Sequence, residues 1–184
     1  MFPKTNLPLN IFENRYIDMI DYSMSTNRLI GMVQHKPNNE LYNIGCYGKI
    51  TVFNETTDNR YLVNLEGRRC FRIIKEVKGG YKFRVCEVED IDSFNKNDLS
   101  DVQKNKVLSS FQKYNDYKNI GLGLDEISKL NLLDLLKLIV MVSPFGVSVK
   151  QMFLELKTNE ELYENVLSAL EIELASKEKI RTIN

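Results

Sequence analysis

The stretch LPLNIFENRY, residues 7–16, decides how the first part of the chain folds. Its first half alternates apolar residues with others, a spacing typical of a β-strand, at Leu7, Leu9 and Ile11. From Tyr16 to about Met24 the apolar residues recur every three or four positions, as on one face of a helix. The stretch predicts a first strand in a sheet and a helix over the end of that sheet. It contains no nucleophile–base pair, metal-ligand set or glycine-rich loop.

Length and composition limit the classes of protein to consider. The 184 residues suffice for one large or two small domains with a proper core. Lys+Arg and Asp+Glu number 25 each, and this balance argues against non-specific nucleic-acid binding. The longest apolar run, residues 135–142, is too short to span a bilayer, and residues 1–10 lack the pattern of a signal peptide. These features predict a soluble, cytoplasmic protein without a membrane partner.

The three cysteines, Cys46, Cys70 and Cys86, are odd in number, and no two form a Cys-x-x-Cys pair. This spacing argues against both a disulfide framework and a zinc site. We expect reduced, buried thiols within strands of a cytosolic protein.

The first ninety residues read as β-structure after the opening helix. Strands are predicted at residues 28–35, 60–66, 69–77 and 81–88, together with a strand that contains Gly45 and Gly48. Isolated glycines inside a strand indicate a bulge or a sharp bend. Gly67 is predicted to end one strand, and Lys78-Gly79-Gly80 to form a tight hairpin turn with positive backbone angles. Such short, closely connected strands favour an antiparallel meander that closes into a small barrel.

The second half reads as helical, beyond a polar boundary at residues 91–98. Three capping boxes predict helix starts at Ser100–Gln103, Ser148–Gln151 and Thr158–Glu161. Residues 132–142 are apolar nearly all round and predict a buried helix that ends before Pro144. A final helix from about residue 159 to 177 carries one apolar stripe of Leu162, Val166, Leu167, Leu170 and Leu174. Strands followed by helices predict the α+β class.

Signatures of catalysis are missing from the sequence. It has no nucleotide-binding P-loop, no G-x-S-x-G elbow and no H-E-x-x-H, and its one histidine, His35, lacks a metal-binding companion. The carboxylates Glu87, Glu89 and Asp90 read as a solvated edge. Glu160 and Glu161 read as acids that favour the dipole at a helix start. We therefore predict no catalytic residues, no metal and no cofactor.

Two groups of residues are candidates for binding. The densest basic patch consists of Arg68, Arg69 and Arg72, with Lys75 and Arg60 nearby. Because Arg72 alternates with Phe71, we interpret the patch as the charged exterior of the barrel. Tyr47 and Phe53 are the candidate peptide-binding residues. If Ile50 and Val52 point into the barrel, both aromatic rings lie on its outer face, where they bind peptide or are covered by a helix.

Several motifs, in the same order along the chain, resemble the N-terminal substrate-binding domain of Lon-type proteases. They include residues 7–13 with Arg15-Tyr16, Ile30-Gly31-Met32, and Gly67 with Arg69, Phe71 and Arg72. The second half is similar to the stand-alone bacterial members, at Pro144-Phe145, Lys150-Gln151 and Leu170-Glu171. The resemblance covers nearly the whole chain. It departs at Asn14, where the family favours proline, and at the start, where the family has another strand before residue 7.

The resemblance implies a PUA-like antiparallel β pseudo-barrel, residues 1–92, followed by a helical bundle, residues 93–184, of one substrate-binding domain. It also implies recognition of unfolded or tagged polypeptide, with a protease or chaperone as partner. No ATPase or Ser–Lys protease motif is present, so we predict a non-catalytic binding module or adaptor. Its binding face would be the barrel exterior or the cleft between barrel and helices. RNA binding, known for other PUA-like barrels, is the alternative, and hydrolysis of a small substrate has only scattered carboxylates to support it.

Overall fold

The computed structural model describes residues 1–38, 40–94 and 99–181, with the backbone alone for 177–181. The chain divides into two compact units, Met1–Asp92 and Ser93–Asn184. Among the described residues, the first unit contains five strands and one helix, and the second contains five helices. The predicted α+β class is confirmed. Part of the predicted polar boundary, residues 95–98, lies outside the described residues, as does Asn39 in the predicted turn at 36–40.

The first unit is an antiparallel sheet that carries one helix. Its elements are β1 (Asn6–Ile11), α1 (Asn14–Met24), β2 (Leu29–Met32), β3 (Ile44–Glu55), β4 (Tyr61–Val77) and β5 (Val85–Ile91). The hydrogen-bonded order is β1-β4-β3-β2, and β5 pairs with the second half of β4. The long strand β4 is therefore the centre of the sheet: β1 lies beside its first half and β5 beside its second half.

The core of this unit lies on one face of the sheet, under α1. Leu7, Leu9 and Ile11 point toward it from β1, as their alternation predicts. They pack against a fully or nearly fully buried cluster of Ile20, Ile30, Ile50, Val63 and Leu65. Apolar burial of this kind contributes about 25 cal/mol per Å², so this shared face stabilises the first strand and helix together.

The prediction that Gly67 ends a strand is wrong, because β4 continues through it. A side chain at Gly67 would overlap the carbonyl oxygen of Phe2, which crosses the strand there. Gly67 donates its N–H to the Thr5 carbonyl, 2.8 Å, and accepts from the Lys4 N–H, 2.8 Å. The glycine is required for this close approach of the N-terminal segment and does not break the strand.

The predicted tight turn at Lys78-Gly79-Gly80 is also wrong. Residues 78–84 form a longer connection, and neither Gly79 nor Gly80 has a positive φ. Bulges are present, as the strand glycines predict. The register of β3 and β4 shifts between Tyr47 and Gly48, opposite Arg68, and again at Thr51. A third shift lies at Ile74 in the pairing of β4 with β5.

The second unit contains α2 (Asp101–Lys118), α3 (Leu124–Ile127), α4 (Leu132–Val142), α5 (Val147–Glu155) and α6 (Asn159–Arg181). α4 has the predicted bounds, and the backbone turns extended at Ser143, before Pro144. The stripe on α6 is largely buried, with Leu162, Val166 and Leu170 fully inaccessible. Among the described residues, no helix is long and apolar enough to cross a membrane.

Two of the three predicted capping boxes are confirmed. Ser100 Oγ accepts from the Gln103 N–H, and the Gln103 side chain accepts from the Ser100 N–H. Thr158 and Glu161 make the same reciprocal pair. The box at Ser148 is wrong, because α5 begins at Val147 with Gly146 as its N-cap and Ser148 lies inside the first turn.

Candidate functional site

Residues of the predicted basic patch form ion pairs with residues of the predicted acidic edge. β4 and β5 are paired so that Arg69 lies 3.1 Å from Asp90, Arg72 3.5 Å from Glu89 and Lys75 2.9 Å from Glu87. We call these three cross-strand ion pairs the charge ladder. Each pair is solvent-exposed and contributes about 1 kcal/mol or less to stability.

The charge ladder has a consequence for the ligands that this part of the sheet can attract. Every cation of the predicted patch lies against a carboxylate, including Arg68, 3.0 Å from Glu66, and Arg60, 2.8 Å from Asp58. Phosphate backbones are bound by an excess of positive charge. The ladder presents no such excess, and this argues against the RNA-binding alternative on this face.

Tyr47 lies beside the charge ladder, on the face of the sheet opposite Cys46. Its ring stacks on Phe71 with centroids 6.2 Å apart and an interplanar angle of 22°. Its hydroxyl donates to Asp90 Oδ2, at 3.4 Å. Burial, followed by the negative charge of Asp90, raises the pKa of the Tyr47 phenol. Tyr47 is half-buried, so part of the residue remains accessible to a partner.

Phe53 does not lie on the outer face, and the predicted placement of Val52 inside the barrel is wrong. The bulge at Thr51 adds a residue to β3, so the alternation changes phase between Ile50 and Val52. Phe53 packs against the core cluster and meets the Tyr61 ring edge-on at 4.9 Å, whereas Val52 is 50% exposed. Simple alternation could not have located this bulge.

The outer face of β1, β4 and β3 exposes a group of apolar, hydroxyl and amide side chains, bordered in the register by the charged residues Lys49 and Glu66. We call it the outer sheet face and define it by Asn6, Pro8, Asn10, Thr51, Val52, Asn54, Leu62 and Asn64. Leu62, 43% exposed, lies between Asn10 on β1 and Asn54 on β3. Asn64 lies between Pro8 and Val52. Phe12, 64% exposed, follows β1 directly and extends the apolar surface.

Hydrogen bonds fix the amides of the outer sheet face. Asn64 Nδ2 donates to Asn6 Oδ1 and to Thr51 Oγ1, both at 3.0 Å, so three strands are linked across the surface. The Arg60 guanidinium lies 6.0 Å from the Phe12 ring centroid. The surface therefore combines exposed aliphatic carbon with oriented amide donors and acceptors, which suits an uncharged partner with its own amides.

Three aromatic rings on α1 and on the 78–84 connection form a second, partly exposed cluster. Tyr22 on α1 contacts Tyr81 at 5.3 Å and Phe83 at 5.8 Å between ring centroids, and Tyr81 contacts Phe83 at 5.2 Å. Lys82 Nζ lies 2.8 Å from Asp18 Oδ2 beside them. These contacts attach the 78–84 connection to α1. No local sequence signal joins residues sixty positions apart, so only the tertiary structure shows the cluster.

The remaining candidates have structural roles or none. Glu161 accepts from the backbone N–H groups of Lys157 and Thr158, which lower the pKa of its carboxyl, and Glu160 accepts from Gln103 Nε2 at 3.1 Å. His35 is exposed and pairs with Leu41 in an isolated bridge. Within the described residues, no three His, Cys, Asp or Glu side chains are placed to hold a metal ion.

The fold just described is that of a known class of α+β domain. The solved structures that share it include a Lon N-terminal domain protein from Xanthomonas campestris, with 17% identity, TM-score 0.69 and 91% of each chain covered, and the N-terminal domain of Mycobacterium avium complex Lon protease. The second has 14% identity and TM-score 0.65, and the match covers 92% of this chain and 91% of that one. No curated protein sequence matches the chain significantly.

The family follows from the sequence profile of the ATP-dependent protease La (LON) substrate-binding domain, which matches residues 1–171. The chain belongs to this family, and the resemblance carried by residues 7–16 and the later motifs is confirmed.

Proposed function

We propose that this chain is a non-catalytic module that binds unfolded or tagged polypeptide through its outer sheet face. In this proposal it acts as an adaptor that presents the polypeptide to a protease or chaperone. The observation that carries the proposal is the exposure of Val52 and Leu62 among the amide side chains of the outer sheet face, in a chain whose family is a substrate-binding domain.

The chemistry of the surface supports this ligand class. Unfolded chains differ from folded ones in exposing apolar side chains together with unpaired backbone amides. Val52, Leu62 and Phe12 offer apolar contact, and Asn10 and Asn54 offer amide groups on either side of Leu62. Exposed apolar residues that are contiguous on a surface are typical of interaction sites, whereas scattered ones are not.

Tyr47 belongs to the proposal as a further contact. Its hydroxyl is hydrogen-bonded to Asp90 and its ring stacks on Phe71, so a bound chain would meet a side chain that is already oriented. Phe53 has an indirect role here: its ring supports Tyr61 from within the core and maintains the strand that carries Leu62.

A binding measurement on matched variants tests the proposal. The ligand is a fluorescently labelled, reduced and carboxymethylated model protein that stays unfolded, and the readout is fluorescence anisotropy. Replacing Val52 and Leu62 together by Asp should weaken binding by about tenfold or more, which corresponds to about 1.4 kcal/mol. Ile74→Asp is the matched control, because Ile74 is 56% exposed on the other half of β4 and should leave binding unchanged.

Two results would contradict the proposal. One is equal binding by the double variant and the Ile74→Asp control. The other is loss of intact ligand with time, measured by gel electrophoresis, because a binding module leaves its polypeptide uncleaved.

A further inference from the structure

Cys46 and Cys70 form a pair of thiols that lie directly opposite each other on β3 and β4. Both are fully buried, at 0% exposure. The Cys46 and Cys70 thiols share a hydrogen bond, and this contact together with burial raises the pKa of Cys46. Direct cross-strand partners have Cβ atoms about 4.5–5.5 Å apart, and a disulfide needs about 3.5–4.5 Å. A small approach of the two strands is therefore enough to join the sulfurs.

The N-terminal segment lies over the same part of the sheet. We call residues 1–5 the N-terminal strap. It is tied to Gly67 by two backbone hydrogen bonds, from Lys4 N–H and to the Thr5 carbonyl. The Met1 side chain lies against Gly48, and the terminal ammonium is close enough to Cys46 to act against the rise of its pKa. Opening of this strap would expose the part of the sheet that carries the two thiols.

We propose that Cys46 and Cys70 are a redox-sensitive switch, which closes into a cross-strand disulfide with hydrogen peroxide when the N-terminal strap opens. In the first step one sulfur takes an oxygen atom from the peroxide, giving a sulfenic acid and one water. The second sulfur then attacks the first. The S–S bond forms, and hydroxide leaves with the remaining thiol proton as a second water.

The closed fold explains why the switch needs an opening step. Protonated thiols are poor nucleophiles, and both sulfurs are shielded from solvent in the closed state. The next residues in the register are Tyr47 and Arg69, which face each other beside the Cys46–Cys70 pair. A disulfide would therefore hold β3 and β4 together at the positions next to Tyr47 and Arg69. This inference does not depend on the proposed polypeptide ligand.

The experiment treats the reduced 184-residue chain with hydrogen peroxide, then alkylates it under denaturing conditions for mass spectrometry of its peptides. The expected product is an intramolecular Cys46–Cys70 cross-link that dithiothreitol reverses. Cys86 is the internal control for the oxidant, since it lines an open cleft of about 310 Å³. Cys86→Ser should leave the cross-link intact, and Cys46→Ala and Cys70→Ala should each abolish it.

The role of the strap is tested with Gly67→Ala, which displaces it, against Gly80→Ala, whose added methyl meets nothing within 4 Å. Cross-linking should be several-fold faster in the first variant and unchanged in the second. Oxidation of Cys86 while Cys46 and Cys70 stay reduced would overturn the switch. Equal cross-linking rates in wild type and Gly67→Ala would overturn the role of the strap. The cross-link itself is measured in the wild-type chain, so poor folding of a cysteine variant does not prevent that test.

Discussion

Arg69 and Asp90 join β4 to β5 through a contact of 3.1 Å between Nη1 and Oδ2, and the Tyr47 hydroxyl donates to the same carboxylate oxygen. One acidic side chain therefore connects the charge ladder to the aromatic residue that the sequence singled out for binding. This arrangement makes Tyr47 sensitive to a change at Asp90.

Replacing Asp90 by Asn should lower the pKa of the Tyr47 phenol, because the negative charge of Asp90 helps to raise it. Stability should fall by about 1 kcal/mol or less, since the ion pair is exposed. The phenol pKa is measured by the ultraviolet absorbance of the phenolate. Glu89→Gln, which breaks the next pair of the ladder, is the control. A phenol pKa that is the same in the Asp90 variant and the control would contradict the contact.

Gly67→Ala should destabilise the first unit by about 1–3 kcal/mol, the usual cost of forcing a methyl into a filled site. The new methyl would overlap the Phe2 carbonyl oxygen. Urea unfolding measures the free energy of unfolding. Gly80→Ala is the matched control and should change stability by about 0.5 kcal/mol or less. If both substitutions have the same small effect, the close approach of Phe2 to Gly67 is not present in solution.

Glu161→Gln should lower stability at neutral pH and have less effect in acid. The backbone N–H groups of Lys157 and Thr158 lower the pKa of the Glu161 carboxyl below its ordinary value of 4.5. The carboxylate therefore stabilises the folded state above that value, and this contribution is lost as the pH falls through the lowered pKa. Thermal unfolding at about pH 7 and about pH 3 measures the effect, with Glu164→Gln as the charge control. A deficit of equal size at both pH values would exclude the carboxylate as the source.

Ser100→Ala should destabilise α2 by about 1 kcal/mol, because Ser100 Oγ accepts from the Gln103 N–H at its start. Ser148→Ala should change stability by about 0.5 kcal/mol or less, because Ser148 is exposed within the first turn of α5 and caps nothing there. Chemical unfolding compares the two. Equal losses would show that Ser148 caps α5 after all.

Local patterns in the sequence were sufficient to predict α2, α4 and α6 and, apart from its cap, α5, but they did not predict the short helix α3. The Ser100 and Thr158 capping boxes each involve two residues three positions apart. Pro144 disfavours helical backbone angles in the residue just before it. Each of these signals can therefore be recognised from a few neighbouring residues. The box at Ser148 failed because Gly146, two residues earlier, took the N-cap position. The alternation that placed Leu7, Leu9 and Ile11 in the core is local in the same sense.

Strand register was not accessible from local patterns, and the candidate site depends on it. The bulge at Thr51 turns Val52 outward and Phe53 inward, although both residues look suited to either side. A glycine at position 67 suggests a strand break, yet β4 continues through it. The glycine is required because the Phe2 carbonyl oxygen occupies the position that a Cβ atom would take. The exposed residues of the outer sheet face come from three strands, so their common surface appears only when those strands are paired.

The sequence by itself determined the family, the α+β class and the caps that start two helices, because these follow from motifs and spacings along the chain. The tertiary structure alone decided which charges meet. Arg69 and Asp90 are twenty-one residues apart, and the pairing of β4 with β5 brings them to 3.1 Å. Cys46 and Cys70 face each other for the same reason. Such contacts depend on the register between strands, and register is set by the packing of the whole sheet.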